Sequence, residues 1–133
     1  MTSASYLGDL RRLAQDATSL RTECEALHSA ILCLRAGGRI SLSPDHHAGL
    51  RRQIGDAAAG LLPPITLVGA ALVMVPEGFC LETAAGGWAT IRPHWRRGGE
   101  VYTADRLWSL ALSIADACLW AHVHDLTSGE VRP

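Results

Sequence analysis

Phe79-Cys80-Leu81-Glu82-Thr83, followed by Ala84-Ala85-Gly86-Gly87 and then Trp88-Ala89-Thr90-Ile91-Arg92-Pro93, is the stretch that decides the fold. Apolar and polar residues alternate over Phe79–Thr83, the period of a half-buried strand. Ala85-Gly86-Gly87 turns the chain, and Trp88 to Arg92 pairs back. That second strand puts Trp88, Thr90 and Arg92 on one face and Ala89 and Ile91 on the other. Pro93 has no N–H to donate, so ladder pairing stops there or runs along an edge. Arg97-Gly98-Gly99 is a second turn, and Glu100 to Thr103 a third strand.

Upstream, Ile65 to Val75 reads as buried strand or as helix on its apolar run alone. Leu67, Ala70, Ala71 and Met74 fit one helical face, Thr66 can cap it, and Val75-Pro76-Glu77-Gly78 closes it. Downstream, Thr103 caps a helix over Ala104–His122, with Asp105 in its first turn. Leu107, Ala111, Ile114, Cys118 and Ala121 line one side of that helix. Trp108, Ala115, Leu119 and His122 widen the stripe, so the helix is buried over much of its girth.

The N-terminal third is helical. Tyr6, Leu10, Leu13, Ala17, Leu20, Cys24, Leu27, Ile31 and Leu34 follow a heptad spacing. Thr22 followed by Glu25 resembles a capping box, and Thr18-Ser19 are weak helix formers, so one helix and two are both open. Gly37-Gly38 ends the region. Arg39-Ile40-Ser41-Leu42 reads as a short strand. Ser43-Pro44 then opens a helix with Leu50, Ile54, Ala57, Ala58 and Leu61 on one face, broken by Pro63-Pro64.

The expected fold is one α+β domain over residues 1–133. It has a helical N-terminal region (1–36), a helix–meander–helix core (66–124) and a loose tail (125–133). A small three- to four-stranded antiparallel sheet is sandwiched by helices, with a long helix at the C-terminal end.

Composition narrows the function classes. The net charge is −1 and the sequence pI about 6.6, so no global field draws the chain to DNA or an acidic membrane. All 12 cations are arginine, and the chain has neither lysine nor asparagine, a bias that points to a GC-rich bacterial or phage genome. Cys24, Cys33, Cys80 and Cys118 form no Cys-x-x-Cys pair and sit in apolar patterns. With no signal peptide at the N-terminus, reduced cysteines in a cytoplasmic protein are expected. Ile65–Val75 is far too short to cross a membrane.

Val75-Pro76-Glu77-Gly78-Phe79, the meander with Trp88, the closing run Arg106-Leu107-Trp108-Ser109-Leu110-Ala111-Leu112-Ser113 and the opening Arg21-Thr22-Glu23-Cys24-Glu25-Ala26-Leu27 resemble the phage ABA sandwich domain family. Phe79 stands where that family usually has Trp. The resemblance implies an α+β fold and a phage or prophage origin. It carries over no catalytic residue.

The densest polar and aromatic group is Arg92, His94, Trp95, Arg96 and Arg97, with Trp88 nearby. Guanidinium groups grip phosphates bidentately, and indole faces stack on bases. The same residues also suit a solvated hairpin turn. His122-x-His124 and His46-His47 have poor spacing for metal, because helix positions one or two apart face apart. No Gly-x-Ser-x-Gly elbow, phosphate loop or Gly-x-Gly-x-x-Gly is present, so neither catalytic residues, nor a cofactor, nor a metal is expected. The leading expectation is a non-enzymatic accessory protein that antagonises host defence by sequestering a nucleotide-type immune signal through the Arg/Trp group. The alternatives are a protein-binding inhibitor of a host defence complex, and an assembly component that oligomerises through the heptad helix.

Overall fold

The computed structural model describes residues 4–84, 88–93, 102–104 and 107–128. Within them the order is α1 (Ala4–Asp16), α2 (Leu20–Ala36), α3 (Pro44–Ala58), α4 (Thr66–Leu72), β1 (Phe79–Ala84), β2 (Trp88–Pro93), β3 (Tyr102–Ala104) and α5 (Leu110–Ser128). The fold is α+β, with five helices and a three-stranded antiparallel sheet in the order β1-β2-β3.

The expected hairpin forms in register, Phe79 opposite Pro93 and Ala84 opposite Trp88, and β2 ends at its proline. β3 pairs Tyr102 with Ile91 and Ala104 with Ala89. Alternation does the rest. Ala89, Ile91, Tyr102 and Ala104 are buried on the side that packs on α5, while the Thr90 and Thr103 hydroxyls share a 3.0 Å hydrogen bond on the other. Tyr102 fixes the sheet to α5 in two ways. Its ring meets the Trp120 ring edge-on with centroids 5.6 Å apart, a favoured aromatic geometry. Its hydroxyl bonds to His124 Nδ1.

α5 is the axis of the molecule, packed by α1, α2, α4, β2 and β3. Ala111 through Leu119 are all buried, as are Ala121 and His122, so the helix is enclosed nearly all round as expected. Both its ends differ from the sequence reading: the helix runs on past His122 to Ser128, so residues 125–128 of the expected loose tail are helical. Thr103 belongs to β3 and caps nothing. Ser109 takes the cap position instead, its Oγ accepting from Leu112 N at 3.2 Å, as a helix-capping hydroxyl does. Leu107 and Trp108 therefore precede the helix, and Trp108 is 50% exposed. Asp105, Glu100 and residues 129–133 of the expected tail lie outside the described residues.

The N-terminal region is two helices. Ser19 caps α2 by accepting from Thr22 N at 3.2 Å, and Thr22 Oγ1 accepts from Ser19 N at 3.0 Å. The capping box is thus Ser19–Thr22, one turn before the Thr22–Glu25 pair that the sequence suggested. The break divides the heptad seam. Leu10, Ala17, Cys24, Leu27, Ile31 and Leu34 are buried within the chain itself, while Tyr6 and Leu13 are exposed. Ala14, Ala17 and Ala26 meet Leu112 in a small second cluster, where short side chains let α1, α2 and α5 approach closely.

Residues 39–42 are not a strand. Arg39 N and Ile40 N both donate to Leu34 O, at 2.8 and 3.4 Å, so the chain is still unwinding from α2. Ser43 and Pro44 open α3 as expected, with Ser43 Oγ accepting from His46 N at 3.1 Å. α3 ends before the prolines. Gly60, at φ 79°, lets Leu61 N reach back to Asp56 O at 2.8 Å. A closure with that positive φ favours glycine. Leu50, Ile54 and Ala57 are buried, but Ala58 and Leu61 are exposed, because the chain leaves the helix there. Within Ile65–Val75, Thr66–Leu72 is the helix α4, and residues 73–75 turn out of it. Thr66 does not cap it; its Oγ1 donates to Pro63 O at 2.8 Å. Gly78, at φ 83°, completes the turn into β1, with Phe79 N donating to Pro76 O at 3.1 Å. Such a bond across four residues is the closure of a β-turn.

Candidate functional sites

The expected Arg/Trp group is only partly within the described residues. β2 carries Trp88 opposite Ala84 and Arg92 opposite Cys80. His94, Trp95, Arg96 and Arg97 lie outside the described residues.

A second cationic group, which the sequence reading passed over, is formed where α2 meets α3. His28 on α2 and Arg51 and Arg52 on α3 line an open concavity of about 400 Å³. α3 is directed there by its buried edge of His47, Leu50, Ile54 and Ala57. The adjacent positions Arg51 and Arg52 then fall at the rim, both exposed. Neither arginine makes an ion pair among the described residues. Beneath them His47 is buried, and its Nε2 has no hydrogen-bond partner among the described residues. Burial, then the positive charges of Arg35, Arg51 and His28, hold its pKa below the usual imidazole range. The arrangement suits an anion held by planar donors.

A third place is chemically opposite. Glu23 lies between Leu20 and Leu27 on the apolar stripe of α2 and is 2% exposed. Its Oε2 accepts from Ser109 Oγ at 2.5 Å, while Oε1 has no partner among the described residues. Burial pushes its carboxyl above the ordinary range, against a smaller opposing effect of the Ser109 bond. Glu23 and Ser109 line a pocket of about 280 Å³ walled by Pro64, Ile65, Val68, Trp108 and Leu110. The signal for this site was in the sequence, since Glu23 falls on the same helical face as Leu20 and Leu27. Its partner Ser109 is 86 positions away and was not readable.

The other buried acid is already neutralised. Asp116 accepts from Arg11 Nε at 2.9 Å and from Gln15 Nε2 at 3.2 Å, and Arg11 also lies 4.9 Å over the Trp120 ring. That cluster clamps α1 to α5. His122, fully buried, donates from Nε2 to Met74 O at 2.8 Å and ties α5 to the end of α4. Both groups serve the fold.

Burial works against a reactive thiolate at Cys24 and Cys118. Burial pushes Cys118 far above the usual thiol range, and burial followed by the Glu23 charge pushes Cys24 up. Among the described residues no group of three or more His, Cys, Asp or Glu side chains could hold a metal ion. Among them, too, no helix is long and apolar enough to cross a membrane.

No protein-family model, curated protein or solved structure matches this chain. The reading of function therefore rests on the chemistry of these sites.

Proposed function

We propose that this chain is a non-enzymatic binding protein for a phosphate-bearing, nucleotide-type small molecule, and that the α2–α3 concavity seats the phosphate. The observation that carries the reading is the convergence of His28, Arg51 and Arg52 on one open concavity, neither arginine having an ion-pair partner among the described residues. Two guanidinium forks and an imidazole supply several N–H donors to phosphate oxygens, and charge-assisted bonds of this kind are the strong ones. Raised thiol pKa values at Cys24 and Cys118 favour binding over covalent chemistry there. The resemblance to small phage proteins supplies the setting: an accessory protein of a phage or prophage that antagonises host defence by sequestering an immune signal in the host cytoplasm.

The Arg92–Gly99 segment is the competing seat for the same ligand. Calorimetry against linear and cyclic nucleotides tests the reading. At least one member binds tighter than about 100 μM, roughly 5.5 kcal/mol. Arg51→Ala with Arg52→Ala abolishes that binding, whereas Arg96→Ala with Arg97→Ala leaves it intact. The reverse pattern moves the ligand to that segment, and no binding by any member defeats the proposal.

A further inference from the structure

The Glu23 pocket presents a charge problem that its own walls do not solve. One carboxylate oxygen is engaged by Ser109, which fixes the side chain's orientation. The other is buried without a partner among the described residues. An unsatisfied buried acceptor is costly, and more so when it belongs to a charged group. Among the described residues no arginine or histidine lines the pocket, whose walls are almost wholly apolar. A cation entering from outside the chain is a partner that would hold this carboxyl in its ionised form.

We infer that this pocket is a binding site for a small organic cation: an ammonium or amidinium group carried on an aromatic or branched-alkyl body. The head group donates to Glu23 Oε1, forming the charge-assisted bond that the site lacks. The body packs against Pro64, Val68 and Leu110, and the Trp108 indole offers an aromatic face to the cation's flank. Size fits. An apolar cavity of roughly 150 Å³ accepts a benzene ring. This pocket measures about 280 Å³. Pro64, Ile65 and Trp108 are the exposed members of the wall, so a ligand enters from their side. A cation beside Oε1 favours the ionised carboxylate and opposes the effect of burial. The site shares no lining residue with the α2–α3 concavity and stands independently of the anion-binding proposal.

The test is calorimetric titration of the full chain with benzamidine, benzylamine and cyclohexylamine, with benzyl alcohol and phenylacetate as uncharged and anionic controls. At least one cation binds with one-to-one stoichiometry and a Kd at or below about 1 mM. Both controls bind at least about tenfold more weakly, because they cannot supply the charge-assisted bond. Glu23→Gln, confirmed as folded by its thermal melt, weakens the cation at least about tenfold. Trp108→Ala, at an exposed position, weakens it by about threefold or more. Failure of all three cations to bind overturns the inference. So does equal binding of benzyl alcohol, or cation affinity unchanged in Glu23→Gln.

Discussion

Replacing Glu23 with Gln makes the folded protein more stable at neutral and alkaline pH. The side chain keeps its shape and can keep its bond to Ser109, while the buried negative charge disappears. Glu23 is 2% exposed with one oxygen unpartnered among the described residues. Leaving such a group unsatisfied costs about 1–3 kcal/mol. The glutamine amide also lacks a full set of partners, so the net gain is about 1–2 kcal/mol. That corresponds to a rise in Tm of roughly 3–8 °C. The sign with pH follows from the raised carboxyl. The folded protein holds the Glu23 proton more tightly than the unfolded chain, whose ordinary value is 4.5. Stability from this group is fully present below 4.5 and is lost as pH rises through the folded value. Wild type and variant therefore converge in acid and diverge as pH rises. Urea unfolding of both proteins between pH 4 and pH 8 measures the difference. A variant less stable than wild type at pH 8, or a difference that does not change with pH, would refute the reasoning.

Other perturbations have defined outcomes. His47 titrates below its ordinary 6.5 when folded, so the unfolded chain takes up its proton first and stability falls as pH drops through that value; His47→Gln reduces this acid loss in urea titrations at pH 7.5 and 5.5. Arg11→Ala leaves the buried Asp116 with Gln15 alone and costs about 1.5–3 kcal/mol by denaturant unfolding. Among the described residues Arg12 makes only an exposed contact to Asp9, at 3.9 Å. Arg12→Ala therefore changes stability by about 0.5 kcal/mol or less in the same assay. His122→Ala removes the bond to Met74 O and opens a hole beside α4, lowering stability by about 3 kcal/mol by chemical denaturation. Gly78→Ala forces a left-handed φ on a residue with a Cβ, and costs about 1–2 kcal/mol by the same measure.

The fold was legible where a local rule and the tertiary environment agree. Phe79–Thr83 and Trp88–Arg92 alternate, and the ladder pairs them as read, because one face of the hairpin must be buried against α5. The apolar girth of residues 111–122 announced an enclosed helix. Boundaries went astray where one chemical signal had several claimants. Thr103, Thr22 and Thr66 all looked like caps, yet Ser109 and Ser19 cap α5 and α2, and Thr66 donates instead of accepting. A heptad seam cannot announce its own interruption, and the break at residues 17–19 shows only in the Ser19–Thr22 bonds. Arg39–Leu42 reads as strand by composition, but the Leu34 carbonyl holds its first two amides.

The sites were less legible, because each depends on an encounter between distant elements. Glu23 sits on an apolar stripe, a signal the sequence reading did not use, and it becomes a pocket through distant residues: Ser109 and Trp108, which precede α5, and Pro64, Ile65 and Val68. Arg51-Arg52 is an ordinary surface pair until α2 brings His28 beside it. The Arg92–Arg97 run drew the sequence reading because its residues are contiguous, which is the one kind of clustering a sequence displays directly.

The measurement that tests the central claim most directly is an NMR titration with a nucleotide that calorimetry finds to bind. The account predicts perturbations centred on His28, Arg51 and Arg52, a rise in the His47 pKa as bound phosphate offsets the surrounding positive charge, and loss of both effects in Arg51→Ala with Arg52→Ala. Perturbations confined to the Arg92–Gly99 segment, with His47 unchanged, would contradict it.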